Sequence, residues 1–325
     1  MPARAWIGNI ILLVASLAVA LASAEAAARL LGYRPFTPFD DNTGVLQEWN
    51  EPDPELGWIY RANSFTSATG KMKVWPDATR RTRGDQHSDA PAHAVLIGCS
   101  YAQSFGLDDE ASLGWLLQEC FPQFDFRNRA TGGYGSYQSL LALQRHFAEA
   151  KKPTALVIYG LASFHGYRDR VARRWMPSLR THGRVSALIP PHVDIDKHGE
   201  LIEYPAQSIA PWRLAETSAL ANLAQKAFTV RILAAKDDEE KEFRTQFAVI
   251  RRMRDFADSH GAQFLAAMIF TPGWSFTTQA FSELQRLGID YVDCSPDDIT
   301  REHPDAYWTR RHAACIAPAV AALMK

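Results

Sequence analysis

Ser100 lies in the sequence GCSYAQSFG, directly after the apolar run HAVLIG. A serine hydroxyl is a poor nucleophile until a neighbouring base takes its proton, so its chemistry depends on a second residue. A short apolar run ending in glycine reads as a buried strand followed by a tight turn, and Gly98 and Gly106 flank the serine. On such a turn the hydroxyl is presented at the carboxyl edge of a parallel sheet, where open α/β folds place their sites. A helix N-terminus there would offer N–H groups to an oxyanion. The plainer use of a serine after a strand is to cap a helix.

His303 is the candidate base. It stands in EHPDAYWTRRHAACIA and is expected to open the final helix, with Pro304 in the first turn. A neutral imidazole can accept the serine proton, although a lone histidine at a helix start is commonly a surface residue. Two further loops belong to the same sheet edge. NRATGGYGSYQ carries Asn128, Gly132, Gly133 and Gly135, a flexible stretch whose backbone N–H groups could approach a substrate, or simply a βα turn. YGLASFH brings Ser163 and His165 to the end of a third strand.

The elements that must position these residues follow from periodicity. HAVLIG, FDFRNR and PTALVIYG read as strands, separated by the helical stretches SLGWLLQEC and SYQSLLALQRHFAEA, the latter with Ser136 as its expected N-cap. This β-α-β-α-β order calls for a parallel sheet with right-handed crossovers. GAQFLAAMIF and IDYVDC supply a fourth and a fifth strand, and residues 305–324 a closing helix. Between them, residues 170–235 break the rhythm with a Pro-Pro pair and a hairpin around His198-Gly199, which reads as an insertion or lid. Residues 236–260 form a charged helix with apolar residues at helical spacing behind the charges. Residues 33–92 read as an irregular connector that packs on the main domain through Trp49, Trp58, Tyr60 and Trp75.

The chain has 325 residues, 47% of them hydrophobic, enough for one large domain with appendages. A net charge of −1 gives no basic surplus for a nucleic-acid partner. Cys99, Cys120, Cys294 and Cys315 show no metal-ligand spacing and read as separate thiols, mostly in the core. Export would permit a disulfide, but spacing does not choose its pairing. Residues 6–24 contain no charge and follow Arg4, and 19 such residues nearly cross a hydrocarbon core of ~30 Å. With the basic side inside, everything after about residue 32 is expected outside the cytoplasm, held at a bacterial inner membrane. Ala22-Ser23-Ala24 also fits a signal-peptidase site; an uncleaved anchor over residues 1–32 is preferred because EAAARLLGYRP continues as a helix.

The blocks VLIGCSYAQSFGLDDEASLGWLLQ, NRATGGYGSYQ, PTALVIYGLASFH and HPDAYWTRRHAACIA together resemble the SGNH/GDSL hydrolase superfamily. The resemblance covers residues 93–165 and the C-terminal stretch. It implies a three-layer α/β/α fold over residues 93–325, flavodoxin-like, with a mostly parallel sheet of about five strands. It also implies Ser100 as nucleophile, His303 as base and Gly133 as an oxyanion N–H donor, with no cofactor and no metal. Cys99 stands where the family has Asp, and Ser163 where it has Asn, with His165 two residues on as a substitute donor. The acid three residues before the histidine is replaced by Thr300, leaving Asp298 as the nearest substitute, with Glu302 and Asp297 behind it. That acid orients the imidazole and stabilises its charged form. The connector containing DPELGW and the N-terminal anchor look like a membrane-anchored bacterial branch. The implied activity is ester hydrolysis or acyl transfer, on a small-molecule ester or on O-acetyl groups of a polysaccharide. The other reading is a silent carbohydrate-binding subunit of a polysaccharide assembly or export system, its cleft lined by Trp175, Trp212 or Trp308.

Overall fold

Strands buried on both faces read as unbroken apolar runs, and three such runs carry the centre of this protein. A computed structural model describes residues 2–36, 49–67, 69–176, 188–208, 210–270, 274–295 and 303–325. The chain opens with α1 (Pro2–Leu30), long and apolar enough to cross a membrane and largely exposed along its charge-free stretch. Two antiparallel hairpins follow: β1 (Asn50–Asp53) with β2 (Gly57–Tyr60), and β3 (Ser64–Thr66) with β4 (Lys71–Lys73). The connector is therefore more regular than expected. Trp49, Trp58, Tyr60 and Trp75 are all buried.

The central layer begins with β5 (Ala92–Gly98), followed by the one-turn helix α2 (Ser100–Gln103), α3 (Leu113–Cys120) and β6 (Phe124–Asn128). Then come α4 (Ser136–Glu149), β7 (Thr154–Ala162) and α5 (His165–Asp169). The insertion contributes β8 (Leu188–Ile189), β9 (His192–Ile195), β10 (Leu201–Tyr204), β11 (Gln207–Ser208) and α6 (Ala219–Leu233). Its strands pair only with each other, β9 with β10 across the His198-Gly199 turn and β8 with β11, so they add nothing to the main sheet. The chain closes with α7 (Glu239–Ser259), β12 (Gln263–Phe270), α8 (Trp274–Arg286), β13 (Tyr291–Asp293) and α9 (Ala306–Leu323).

The five main strands are all parallel, in the order β6-β5-β7-β12-β13. Read by position in the sheet this is 2-1-3-4-5, the doubly wound flavodoxin-like order. Alternation along each strand sends residues to two separate cores. Leu96, Ile158 and Ala267 pack with Leu113, Leu117 and Ile316 under α3 and α9. Val95, Val157 and Ala266 pack with Leu140, Leu143, Ile250 and Met253 under α4 and α7. Three layers result, as the resemblance implies.

Three local expectations need correction. Gly135, not Ser136, is the N-cap of α4; Ser136 is its first residue, and its hydroxyl accepts a hydrogen bond from Tyr159 Oη at 2.8 Å. His303 does not open the last helix but lies two residues before Asp305, whose carboxylate caps α9 by accepting from the Trp308 N–H at 3.0 Å. Two of the four cysteines are not thiols: Cys294, just past β13, is disulfide-bonded to Cys315 on α9, while Cys99 is buried and Cys120 exposed. The bridge closes a loop with a sequence separation of 21 residues. Constraining an unfolded loop of that size is worth about 3 kcal/mol in the chain-entropy account. The double variant Cys294→Ser/Cys315→Ser should therefore lose about that much stability, read as the unfolding free energy from urea titration with midpoint and slope both fitted; an unchanged free energy would show that no bridge restricts the unfolded chain.

Candidate active site

In a doubly wound sheet the ligand crevice opens at the carboxyl ends of the two neighbouring strands whose connections run in opposite directions. Here those strands are β5 and β7: the chain leaves β5 towards β6 and leaves β7 towards β12. Ser100 is the second residue after β5, at that point. The turn that presents it needs glycine twice. Gly98 has a φ of 142°, and a Cβ there would stand 3.0 Å from both the Gly160 carbonyl oxygen and Ala102 Cβ. A Cβ on Gly160 would stand 2.7 Å from Ala102 Cβ, so the pair of glycines lets α2 settle onto the sheet.

The connector holds this turn from behind. Arg80 is buried, and its Nη1 donates to the carbonyls of Gln103 at 2.7 Å and Ser104 at 2.6 Å. Its Nη2 donates to Leu107 O at 2.6 Å, and its Nε to Asp109 Oδ1 at 3.2 Å. These carbonyls close α2, where Ser104 turns left-handed with a φ of 65°. Burial lowers the Arg80 pKa and Asp109 opposes that shift; the Asp109 carboxyl is itself raised by burial and lowered by Arg80. Tyr60 Oη donates to Gln103 Oε1 at 3.2 Å, and Asn128 Nδ2 to Ala102 O at 3.4 Å. Every residue of α2 is buried, Ser100 included.

His303 returns to this turn across 203 residues. Its Nε2 lies 3.0 Å from Ser100 Oγ, within hydrogen-bond reach. The ring packs against Tyr101 at 5.2 Å and Phe105 at 5.5 Å between centroids, both from the segment that presents the serine. The disulfide joins the elements on either side of the His303 segment, so both its ends are tied.

Gly133 sits in the second loop with a left-handed φ of 88°. That loop is anchored to the first strand by the Thr131 N–H donating to Gly98 O at 3.0 Å. Trp58 of the connector donates its indole N–H to Gly132 O at 3.0 Å, and the Tyr134 hydroxyl donates to Trp58 O at 2.5 Å.

Ser163 follows β7 directly, its N–H donating to Phe270 O at 2.8 Å. Ser163 borders a cavity of about 510 Å³ together with Phe164, Tyr167, Arg174, Glu242 and Gln246, lined by neither Ser100 nor His303. Tyr101, which packs on His303, also packs with Phe164 and Phe270, with centroids 4.6–5.5 Å apart. His165 is fully buried, with Nδ1 2.6 Å from Tyr159 Oη. Burial, then the nearby Arg168, holds its pKa well below the ordinary histidine value and keeps it neutral. Asp298, Asp297, Thr300 and Glu302 lie outside the described residues. Of the three tryptophans expected in a cleft, Trp175 is buried in a core with Trp58 and Tyr134, Trp212 is exposed beside α6, and Trp308 is partly buried on α9 under Arg311. Among the described residues, no three His, Cys, Asp or Glu side chains gather as a metal site.

Sequence reading missed Arg80, Tyr101 and Phe105. Arg80 stands in TRRTRG, where nothing local separates a buried arginine from a solvated one. The aromatics of SYAQSF were visible but had no partner to point to until His303 came beside them.

No protein-family model and no curated protein matches the sequence. Solved structures to which the chain is similar include a GDSL-like lipase from Bacteroides thetaiotaomicron, at 12% identity and TM-score 0.39 over 74% of this chain and 92% of that one. Another is Axe2, an acetylxylan esterase from Geobacillus stearothermophilus, at 10% identity and TM-score 0.37 over 71% and 96%. A third is a carbohydrate esterase whose active site is described as having divergent catalytic and non-catalytic binding functions, at 10% identity and TM-score 0.44 over 74% and 75%. These likenesses concern the fold and add nothing about the reaction.

At the end of α5, buried Asp169 accepts at Oδ1 from the Tyr137 N–H at 2.8 Å. Burial pushes its carboxyl up to about 7, against the Tyr137 N–H and the Ser136 hydroxyl. A carboxyl raised on folding contributes stability that is full below its unfolded value near 4 and lost as pH rises to about 7. Asp169→Asn keeps an acceptor for Tyr137 and removes the titration. The variant should therefore gain on the wild type between pH 4 and 7 by up to about 1.4 kcal/mol per unit, read from urea midpoints; a pH-independent difference would remove Asp169 from this account.

Proposed function

We propose that the protein is a serine-dependent ester hydrolase or O-acyltransferase. The observation that carries this reading is the 3.0 Å contact between Ser100 Oγ and His303 Nε2 at the switch point of the sheet. In the productive tautomer His303 Nε2 accepts the Ser100 proton while Oγ bonds to the acyl carbon. The backbone N–H of Ser100 opens α2 and has no place in its i→i−4 ladder, so it is one donor for the oxyanion; Gly133 is our candidate for a second. His303 then returns the proton to the leaving alcohol, and water or an acceptor hydroxyl, deprotonated in its turn, removes the acyl group. Asp298 is our candidate for the group that holds the other imidazole nitrogen.

The site belongs outside the cytoplasm in this reading. α1 with Arg4 at its start supports an N-in span, and a disulfide fits an oxidising compartment. A tethered esterase in that setting has polysaccharide O-acyl groups within reach, and these are our proposed substrates. The second reading, a binding subunit of a polysaccharide assembly or export system, is favoured by one observation: His165 is fully buried against Tyr159, so it presents no side-chain oxyanion donor at the surface. A missing donor of that kind costs ~10²–10³ in rate.

Hydrolysis of p-nitrophenyl acetate by the full chain should fall by at least about 10³-fold in Ser100→Ala and likewise in His303→Ala. Equal rates in wild type and Ser100→Ala would overturn the enzyme reading and favour the binding one. Alkaline phosphatase fused after residue 40 should be active; an inactive fusion would place the domain in the cytoplasm.

A further inference from the structure

Helix α6 is built inside out. Its buried face carries Asn222, Gln225 and Thr229, each hydrogen-bonded: Asn222 Nδ2 to Arg34 O at 2.9 Å, Gln225 Nε2 to Ala210 O at 3.0 Å, and Thr229 Oγ1 to Gln225 O at 2.8 Å. Its outer face carries Phe228, 52% exposed, and Ile232, 58% exposed, on one i+4 row with Leu220 and Ala224. Just before the helix, Trp212 is 44% and Leu214 68% exposed, and the Trp212 ring lies 5.6 Å from that of Phe228. The neighbouring helix α7 has the opposite and ordinary pattern, with Phe247, Ile250 and Met253 inward and its acidic and basic residues mostly outward. A helix that turns Asn222 and Gln225 onto protein contacts and leaves Phe228 and Ile232 outside has a face fitted to an apolar exterior.

The position of α6 says what that exterior is. Glu25 is the first charged residue after the span. Its carboxylate accepts from the Ser218 hydroxyl at 2.7 Å and from the Ala219 and Leu220 N–H groups at 2.9 Å each. Arg29 Nη2 donates to Thr217 O at 2.9 Å, and the Phe36 N–H to Ala215 O at 2.7 Å. The start of α6 is therefore fixed at the depth where α1 leaves the hydrocarbon. Between Trp212 and Leu233 the sequence holds Arg213, Lys226 and Arg231 against Glu216, a positive excess suited to anionic headgroups. Tryptophan beside an apolar helix face with basic flanks is the composition of an interfacial segment.

We infer that Trp212, Leu214 and the Leu220–Ile232 row of α6 insert into the headgroup–acyl boundary of the membrane that α1 crosses. The domain is then held to the bilayer at two places rather than swinging on a single tether. This inference rests on α1 being retained as a span, and the test separates the two claims.

The full chain carrying Cys120→Ser would be reconstituted one copy per nanodisc in phosphatidylglycerol and phosphatidylethanolamine. Nitroxide would be attached in turn at Phe228→Cys, Ile232→Cys, Val14→Cys and Asp89→Cys. Collision with oxygen, which concentrates in lipid, is compared with collision with a water-soluble nickel chelate. Positions 228 and 232 should show a several-fold higher oxygen-to-chelate ratio than position 89, and a lower one than position 14. If position 14 lies in lipid while 228 and 232 match 89, the anchor stands and the interfacial contact is wrong. If 228 and 232 are shielded from both reagents, a protein partner covers the face and the inference falls. If position 14 is not in lipid, the span and the inference fail together. All substituted positions are outward-facing or lie in α1, so the core is left intact; a far-ultraviolet spectrum matching the wild type checks this.

Discussion

A hydroxyl and an imidazole act as a nucleophile and base only at hydrogen-bond range, and here the two stand 203 residues apart in the chain. Holding them together needs rigid elements at both ends, because a flexible loop would dilute the contact entropically. Ser100 is supplied by β5, which has paired strands on both sides and two cores on its faces. His303 is supplied by a short segment ahead of α9, whose Ala313, Ile316 and Val320 pack in the same core as Leu113 and Leu117. The disulfide between Cys294 and Cys315 then limits how far that segment can move from the sheet edge.

The second constraint is the turn itself. Bringing α2 against the sheet leaves carbonyls of residues 103, 104 and 107 pointing away from any strand, and an unpaired buried carbonyl is costly. Arg80 supplies donors to all three and keeps Asp109 as its own counter-ion. Removing either partner of such a buried set leaves a charge or several carbonyls without compensation. The connector is thus a structural part of the site: Arg80 and Tyr60 brace the Ser100 turn, and Trp58 braces the glycine loop.

A third requirement concerns the junction with the anchor. Glu25 and Arg29 bond to backbone and side-chain groups at residues 217–220, so the last turns of α1 are integrated with the insertion rather than linked loosely to it. Among the described residues the insertion adds no strand to the five-stranded sheet.

The strands, the helices and a parallel sheet were within reach of the sequence, because apolar runs, helical periodicity and glycine turns are local signals; the strand order was decided by which strands pair. Ser100 and His303 were legible for the same reason, one after a buried strand and the other in a block that resembles a known one. What local signals do not encode is the direction a side chain takes at a strand end. Ser163 and His165 follow β7 closely, yet one borders a separate cavity and the other turns inward to Tyr159. Nor does spacing choose between cysteines: pairing requires Cα atoms within reach, and 294 and 315 meet at 5.8 Å only because β13 and α9 pack together. Composition likewise could not say which arginine of TRRTRG is buried. By itself the sequence determined the element types, the long apolar N-terminal helix and the glycine-flanked turn of Ser100, all set by neighbours along the chain. Tertiary structure alone decided the contact of Ser100 with His303, the buried clamp of Arg80 and the disulfide, because each depends on residues that only packing of the layers brings together.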